Sequence, residues 1–286
     1  MTEQYGTPGP RPVGRADLHV HTTCSDGTLT PPEVVRAAAD LGLAAVGITD
    51  HDTTVGVAEA LAMSASTGTA VVPGVEINTE DVAFEVHILG YYIDLGSERL
   101  QGLLRRLRRG RIERAKEILR RLDRLGIRID FDELAHREDT RALGRPHIAR
   151  VLYERGHAPT TNAAFRRFLK KGSPAFVERY RITPEEATSA IVAAGGVAVF
   201  AHPGLLGRDS TLRALMDVGL AGIEVYHPEH TEDMVRKYEA MARDLSLIAT
   251  GGSDSHGTKS MRTVEIGEAT CDAGVVDQLR GRSTAA

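Results

Sequence analysis

The sequence predicts an α/β fold whose strands close into a barrel. Short apolar strands alternate with helical segments through much of the 286 residues, and this alternation is typical of a mainly parallel sheet. A polar residue follows most of these strands, and in α/β barrels the functional groups come from the ends of many strands. An open, doubly wound sheet is the alternative, but it would carry a glycine-rich phosphate loop after its first strand, and this sequence has none there.

The first predicted strand ends in a His-x-His pair within Asp17-Leu18-His19-Val20-His21-Thr22. Side chains alternate along a strand, so His19 and His21 share one face while Leu18 and Val20 point to the other. Two imidazoles at this spacing can hold a transition metal. A hydrogen-bonded polar pair at a strand end fits the same pattern, so the remaining strands have to decide between the two interpretations.

The pattern of strand, polar residue and helix then repeats. Helices are predicted to begin at Thr30, where a capping residue precedes two prolines, and at Val55. The apolar strands lead to polar side chains as follows: residues 44–49 to Asp50-His51-Asp52, residues 70–75 to Glu76, and residues 84–91 carry His87. Asp50 and Asp52 are expected either to orient His51 and its neighbours or to cap the next helix.

Residues 97–183 are predicted to form an inserted helical domain, because leucines recur there at helical spacing from Leu100 to Leu125. Arg99–Arg128 is strongly basic, with twelve Lys or Arg against three acidic residues in a chain of net charge −4. Such a segment either attracts phosphate or is simply a solvated helix surface. The other boundaries are a barrel over 15–96 and 184–286 and a disordered, Gly- and Pro-rich tail over 1–14.

Barrel strands resume after the insert, and they too lead to polar side chains: residues 197–201 to His202, residues 222–226 to His227, and residues 247–252 to Asp254 and His256. With the earlier strand ends they give one set of candidate metal ligands: His19, His21, Asp26, His51, Glu76, His87, His202, Asp254 and His256. So many ligands imply two or three divalent ions. Imidazole and carboxylate without thiolate favour Mn, with Fe or Zn as alternatives, over Ca or Mg.

Composition excludes several other classes of protein. No apolar run reaches the length of a membrane span, and residues 1–15 lack the apolar centre of a secretory signal. Cys24 and Cys271 form neither a disulfide framework nor a Cys-x-x-Cys zinc site, which fits a reducing compartment. We therefore expect a cytoplasmic protein with no membrane contact and no obligatory protein partner.

Five motifs together resemble the polymerase and histidinol phosphatase (PHP) domain family: Asp17-Leu18-His19-Val20-His21-Thr22, Thr49-Asp50-His51-Asp52-Thr53, Gly74-Val75-Glu76, Ala201-His202-Pro203 and Gly252-Ser253-Asp254-Ser255-His256. The resemblance covers the chain from about residue 15 to the last strand. It implies a distorted (β/α)7 barrel with a trinuclear metal site. The implied ligand sets are His19, His21, Glu76 and Asp254 for the first metal, Glu76, His87 and His202 for the second, and Asp26, His51 and His256 for the third.

The inserted helices, with Gly144-Arg145-Pro146-His147, resemble the branch of this family that acts on nucleoside 3′,5′-bisphosphates and short oligonucleotides. The resemblance implies a metal-dependent phosphatase that removes the 3′-phosphate of such a bisphosphate by means of a metal-bridged hydroxide. A 5′-3′ exonuclease on short RNA or DNA is the alternative, with the basic helix as a track for the backbone. A non-catalytic binding or scaffold module is an alternative of another class.

Three residues are predicted to act on the substrate. Arg145 and His147 could reach over the metals to hold a phosphate, because the guanidinium fork matches phosphate oxygens. An ordinary helix start at Pro146 with a surface arginine is the alternative interpretation of that motif. His227, at a strand end, is a candidate for the general acid that protonates the leaving group, or for a phosphate ligand.

Overall fold

The computed structural model of the chain describes residues 14–81, 84–137, 144–205, 210–257 and 264–285, so the predicted disordered tail lies outside the described residues except for Gly14. The strands are β1 Arg15–Val20, β2 Ala45–Ile48, β3 Ala70–Asp81, β4 Phe84–Tyr91, β5 Val197–Phe200, β6 Leu220–Tyr226, β7 Ile248–Gly251 and β8 Cys271–Asp272. The helices are α1 Pro31–Asp40, α2 Val57–Thr67, α3 Glu98–Arg124, α4 Phe131–Arg137, α5 Arg145–Glu154, α6 Thr161–Ala164, α7 Pro184–Ala193, α8 Ser210–Asp217, α9 Glu232–Asp244 and α10 Val275–Arg282. A π-helical turn over Phe165–Leu169 and a 3₁₀ turn over Pro203–Leu205 complete the described elements.

The strands form one sheet that curls into a nearly closed barrel. The described strands follow the order β7-β6-β5-β4-β3-β2-β1-β8, and short β8 pairs antiparallel with β1. Beyond β7 the chain returns to β1, since Val20 bridges to Ser255 and the His21 amide donates to the Ser255 carbonyl at 2.9 Å. The predicted α/β barrel is confirmed.

One strand runs against the others. β1 to β3 pair in parallel, as do β5 to β7, whereas β4 is antiparallel to both β3 and β5. In a hairpin the second strand begins where the first one ends, so the first half of β4 lies beside the last half of β3, and His87 pairs with Asn78. The expectation that Glu76 follows the end of its strand is wrong, because β3 continues to Asp81 and Glu76 lies within it, whereas His87 lies within β4 as expected.

Alternating strand residues build two separate apolar layers. Leu18, Leu89 and Tyr91 belong to a buried cluster of strand residues that also includes residues of α10, and the Tyr91 hydroxyl donates to the Leu18 carbonyl at 2.9 Å. The neighbouring Val20 packs instead in the cluster around α1, and Ile88 packs in the cluster around α3 and α7. Burial of both faces of the strands fixes their register, because a shift by one residue would exchange the layers.

Helix α3 joins the barrel to the other helices that precede α7. Its first buried residues, Leu100 to Leu107, pack in the barrel cluster, and its later ones, from Ala115 to Leu122, pack in a cluster of their own with α5. Leu125, predicted to lie on the same stripe, is exposed because the helix has already ended. That residues 97–183 act as a separate substrate-covering domain stays a prediction. None of the helices in the described ranges has the length and apolar character needed to cross a membrane.

The barrel closes at Gly252, where β7 leads into the segment beside β1. A Cβ atom at Gly252 would overlap with the backbone nitrogen and the Cβ of His19. We predict that Gly252→Ala lowers the free energy of unfolding by about 1–3 kcal/mol, because the crowded strands have to separate. Urea denaturation of the metal-free protein measures this change.

The matched control is Gly281→Ala on α10, where an added Cβ meets no atom within 4 Å. Alanine at that position should leave stability unchanged or raise it by up to about 1 kcal/mol, because glycine is the weaker helix former. Equal stability of the two variants would contradict the close packing at Gly252.

Candidate metal centre

The predicted metal ligands converge at one end of the barrel. They form three overlapping groups, within each of which the candidate ligand atoms lie no more than 4.8 Å apart: His19, His21, Glu76 and Asp254; Glu76, His87 and His202; and His21, Asp26, His51 and His256. The grouping is the one implied by the resemblance, with His21 as an added member of the third group. The reversed direction of β4 is what brings His87 to this end.

Glu76 is the carboxylate that the first two groups share. It is fully buried. Its Oε1 lies 2.7 Å from His87 Nδ1 and 3.2 Å from His202 Nε2. Its Oε2 lies 2.8 Å from His51 Nδ1 and 3.2 Å from His21 Nε2. A single carboxylate surrounded by imidazoles in this way can bridge two cations.

Several buried atoms of the centre form no hydrogen bond of acceptable geometry, although imidazole nitrogens and carboxylate oxygens lie close to one another there. They are His19 Nε2, His21 Nε2, Asp26 Oδ1, Glu76 Oε2, His87 Nε2 and His202 Nδ1. An unsatisfied buried polar atom costs about 1–3 kcal/mol, so a cluster of them in a folded protein calls for a missing partner. Lone pairs of imidazole and carboxylate that face one another are suited to a divalent cation, so the residues present fit a metal site.

The charges of the centre lead to the same inference. Burial alone would raise the pKa of Glu76, but His51, His87 and His19 outweigh it and hold that pKa well below its usual range. Burial would likewise lower the pKa of His21, yet its contacts with Asp254 and Glu76 raise it to about 10. Contacts with Glu224, Glu76 and Asp254 also raise the pKa of His19. In the absence of cations His19 and His21 would therefore carry protons that balance the buried carboxylates. A bound cation has to displace those protons, so metal affinity should fall as the pH falls.

Glu224 supports the centre from behind, and the sequence prediction missed it. Its Oε1 lies 3.0 Å from His19 Nδ1, and its Oε2 accepts the His202 amide at 2.8 Å. The ring of His19 thereby turns its Nε2 toward the centre. Carboxylates that bond the second nitrogen of a ligating histidine fix the ring and raise its basicity. A buried acidic residue within the apolar strand Leu220–Tyr226 was the available sequence signal.

Asp17 is a second supporting carboxylate that sequence reasoning left without a role. It accepts the Ser253 amide at 2.9 Å and the Gly267 amide at 2.8 Å. These bonds join β1 to the two segments that follow β7, one of which carries Asp254. Burial raises the pKa of Asp17 to about 6, against the opposing effect of its hydrogen bonds.

Asp50 and Asp52 make the bonds expected of orienting residues. Asp50 accepts the Thr22 amide and hydroxyl, both at 2.7 Å, and so holds the loop that carries Asp26. Asp52 accepts the amide of Asn78 at 3.0 Å, and the side-chain nitrogen of Asn78 lies 3.2 Å from the Asp52 carboxylate and 3.1 Å from His51 Nδ1. Asp52 also pairs with Arg111 of α3, which ties that helix to the loop of His51.

A cavity of about 310 Å³ lies over the centre. Its lining includes the candidate ligands Asp26, His51, His87, Asp254 and His256. The helical region contributes Arg111, Arg114, Arg145, His147, Phe165, Arg179 and Tyr180 to the same lining. The cavity thus combines candidate metal ligands with guanidinium groups, a combination suited to a ligand with several negative charges.

Arg145 and His147 line the cavity at the start of α5, and their contact with a phosphate stays a prediction. The Arg145 guanidinium packs over the ring of Phe165, 5.0 Å from its centroid. His147 Nδ1 accepts the Gly144 amide at 3.1 Å, so the neutral ring carries its proton on Nε2. Burial lowers the pKa of His147 and favours that neutral form.

His227 lies behind the centre. Its Nδ1 accepts the Glu229 amide at 3.2 Å, and its Nε2 lies 3.7 Å from Asp254 Oδ2. The ring is buried and is not among the residues that line the cavity. Its position therefore favours contact with Asp254 over direct contact with a ligand in the cavity.

Known proteins resemble the chain along most of its length. A 3′,5′-nucleoside bisphosphate phosphatase of Chromobacterium violaceum is 37% identical over 250 residues, which are 85% of this chain and 88% of that protein. The 5′-3′ exoribonuclease Rnm of Escherichia coli strain K12 is 33% identical and covers 84% of each chain. A solved structure from Bifidobacterium adolescentis, provisionally named a metal-dependent phosphoesterase, superposes with a TM-score of 0.87 at 33% identity and covers 94% of this chain and 96% of that one.

The fold and the site are those of the metal-dependent phosphoesterases, a class of hydrolases. The sequence pattern of the PHP domain matches residues 17–155, and the chain belongs to the PHP domain family. The resemblance recognised from the sequence motifs is thereby confirmed. The roles of the individual site residues remain proposals.

Because Glu224 contacts both His19 and His202, we expect its charge to contribute to metal affinity. Glu224→Gln should weaken binding of Mn²⁺ by about 10- to 100-fold, because the amide is uncharged and holds His19 less firmly. Calorimetric titration of chelator-treated protein with Mn²⁺ measures the affinity. The matched control is Glu239→Gln, because Glu239 is an exposed residue whose carboxylate accepts the Tyr226 hydroxyl at 2.7 Å. This variant should bind Mn²⁺ like the unaltered protein. Equal Mn²⁺ affinity in both variants would contradict the supporting role.

Proposed function

We propose that this chain hydrolyses the 3′-phosphate of nucleoside 3′,5′-bisphosphates, such as adenosine 3′,5′-bisphosphate. The observation that carries the proposal is the cavity, whose lining combines clustered carboxylates and imidazoles with several arginines. One cavity therefore offers a place for a scissile phosphate and another for a second anionic group. The Chromobacterium relative, named for this activity, supports the same substrate.

The candidate ligands would hold two or three divalent cations, with Mn as the first candidate and Fe or Zn as alternatives. His19, His21, Glu76 and Asp254 would hold one cation, Glu76, His87 and His202 a second, and Asp26, His51 and His256, with His21, a third. The chemistry that such cations supply when bound is activation of water and neutralisation of charge on phosphate oxygens. The protein itself would keep the ligands in place through Glu224, Asp17 and Asp50.

The helical wall would bind and orient the substrate. Arg145, whose guanidinium faces the cavity, would donate to the phosphate that is not cleaved. His147 carries its proton on Nε2 when neutral and lines the cavity, so it would donate to a phosphate or to the leaving oxygen. For His227, a candidate from sequence for the general acid or for a phosphate ligand, the contact with Asp254 supports a role in holding that carboxylate.

Exonuclease activity on short RNA is the second candidate. Helix α3 lines the cavity with residues of its middle part, from Leu107 to Ile118, and carries exposed arginines on its surface: Arg105, Arg109, Arg120 and Arg124. Tyr180, about half exposed, lines the cavity and could stack on a base. The Escherichia coli relative is named for this activity.

We also infer a cytoplasmic location. The free thiols of Cys24 and Cys271 fit a reducing compartment, in which nucleotides are also abundant. That the chain needs no other protein for activity stays a prediction.

The two candidate activities can be separated in one assay. With Mn²⁺ present, we expect release of inorganic phosphate from adenosine 3′,5′-bisphosphate to exceed mononucleotide release from a short 5′-phosphorylated RNA. His51→Ala and Asp254→Ala should each lower that rate by about 100-fold or more, since loss of a ligand exceeds loss of a supporting group. Both variants should keep the far-ultraviolet circular dichroism of the unaltered chain.

Activity on the RNA with none on the bisphosphate would contradict the proposed substrate and favour the exonuclease. Inactivity on both substrates, in protein shown by elemental analysis to hold Mn²⁺, would favour a non-catalytic binding module.

A further inference from the structure

Glu85 is a carboxylate of the cavity wall that has no place in the metal centre. It lies two residues before His87 on β4, so both side chains emerge on the same face of the strand. Glu85 lines the cavity but belongs to none of the candidate ligand groups among the described residues. Its side chain is 48% exposed, which means that it is open to the cavity rather than packed in the core.

Two arginines from different parts of the helical region meet at Glu85. Arg145 Nη2, at the start of α5, lies 3.1 Å from Glu85 Oε1. Arg179, in the segment before α7, pairs with the same oxygen. Both guanidinium groups are only 15% exposed, and they line the cavity together with Glu85. One carboxylate thus joins residues that are distant in sequence.

Arg114 adds a third guanidinium near Glu85, so positive charge exceeds negative charge in this group. Burial and the neighbouring Arg145 and Arg179 lower the pKa of Arg114 to about 9, as expected where positive groups crowd together. Like charges at this range repel one another, so Arg145 and Arg179 would move apart without an anion between them. Glu85 neutralises one positive charge and leaves an excess, which is the condition for binding a further anion.

We propose that Glu85 is a positioning residue that holds Arg145 and Arg179 side by side. The remaining N–H groups of the two arginines then form one subsite for the 5′-phosphate of the substrate. Each guanidinium has five N–H donors, and a single carboxylate oxygen uses few of them. The chemical class that fits is a phosphate monoester, since its two negative charges match the excess better than the single charge of a diester. This inference rests on the proposed function, in which the 3′-phosphate is hydrolysed and the 5′-phosphate is not cleaved.

A purely electrostatic effect of Glu85 would have the opposite sign. If Glu85 only added a negative charge to the cavity, its removal would strengthen the binding of an anion. If it positions the arginines, its removal weakens binding. The two roles are therefore distinguished by the direction of a single change in affinity.

The experiment measures binding of adenosine 5′-monophosphate, which has the 5′-phosphate but no scissile 3′-phosphate. Isothermal titration of the Mn²⁺-loaded protein gives the dissociation constant, and adenosine serves as the reference without phosphate. For Glu85→Ala we expect the dissociation constant for the monophosphate to rise about tenfold, the cost of losing charged hydrogen bonds. The constant for adenosine should not change, and Glu85→Asp should recover part of the loss.

Glu178→Gln is the matched control, because Glu178 is an exposed carboxylate that pairs with Arg181 and does not line the main cavity. It should bind the monophosphate like the unaltered protein. In turnover of the bisphosphate, Glu85→Ala should raise KM more than it lowers kcat. Glu85→Gln, which keeps the side-chain shape, replaces Glu85→Ala if that variant fails to fold.

Unchanged or tighter binding of the monophosphate by the Glu85 variants would overturn the inference, as would equal weakening for adenosine or no binding by the unaltered protein. If the unaltered protein binds the monophosphate and the variants bind it weakly, the inference stands even where the bisphosphate is not hydrolysed. That last result would overturn the proposed function alone.

Discussion

The structure depends on the burial of one carboxylate, Glu76, among imidazole rings at the end of the barrel. A buried carboxylate is costly unless positive charge surrounds it. His51 and His87 contact it most closely, at 2.8 and 2.7 Å, and other histidines approach from β1 and from the end of β5. Barrel closure, the reversed strand and the supporting carboxylates are all required to bring these groups to one point, and cations would replace the protons that otherwise balance the charge.

The barrel and the helical region contribute different parts of the chemistry. The strands and the loops that follow them hold the candidate ligands, while α3, α5 and the segment before α7 supply the arginines and His147 of the cavity lining. Asp52 connects the two parts, since it bonds Asn78 beside His51 and pairs with Arg111 of α3. Glu85 connects them again from β4. A change of substrate within the family could therefore come from the helical wall without disturbing the metal centre.

Local patterns made much of this predictable. Alternation along β1 placed His19 and His21 on one face, and the polar residues after β2, β5 and β7 marked the same end of the barrel. The reversal of β4 was not visible, because an apolar strand has no mark of its direction and the alternation of strands and helices favoured a mainly parallel sheet. Glu224 and Glu85 were missed because their function depends on partners distant in sequence, His19 and His202 for one, Arg145 and Arg179 for the other.

The central claim is that the buried cluster around Glu76 binds divalent cations. Anomalous diffraction from crystals soaked in Mn²⁺ tests it most directly, because the signal locates the ion without any assumption about activity. We expect at least two peaks that share Glu76 as a ligand, one on the side of His19 and His21 and the other on the side of His87 and His202. A map with no peak at Glu76, in crystals that bind Mn²⁺ elsewhere, would contradict it.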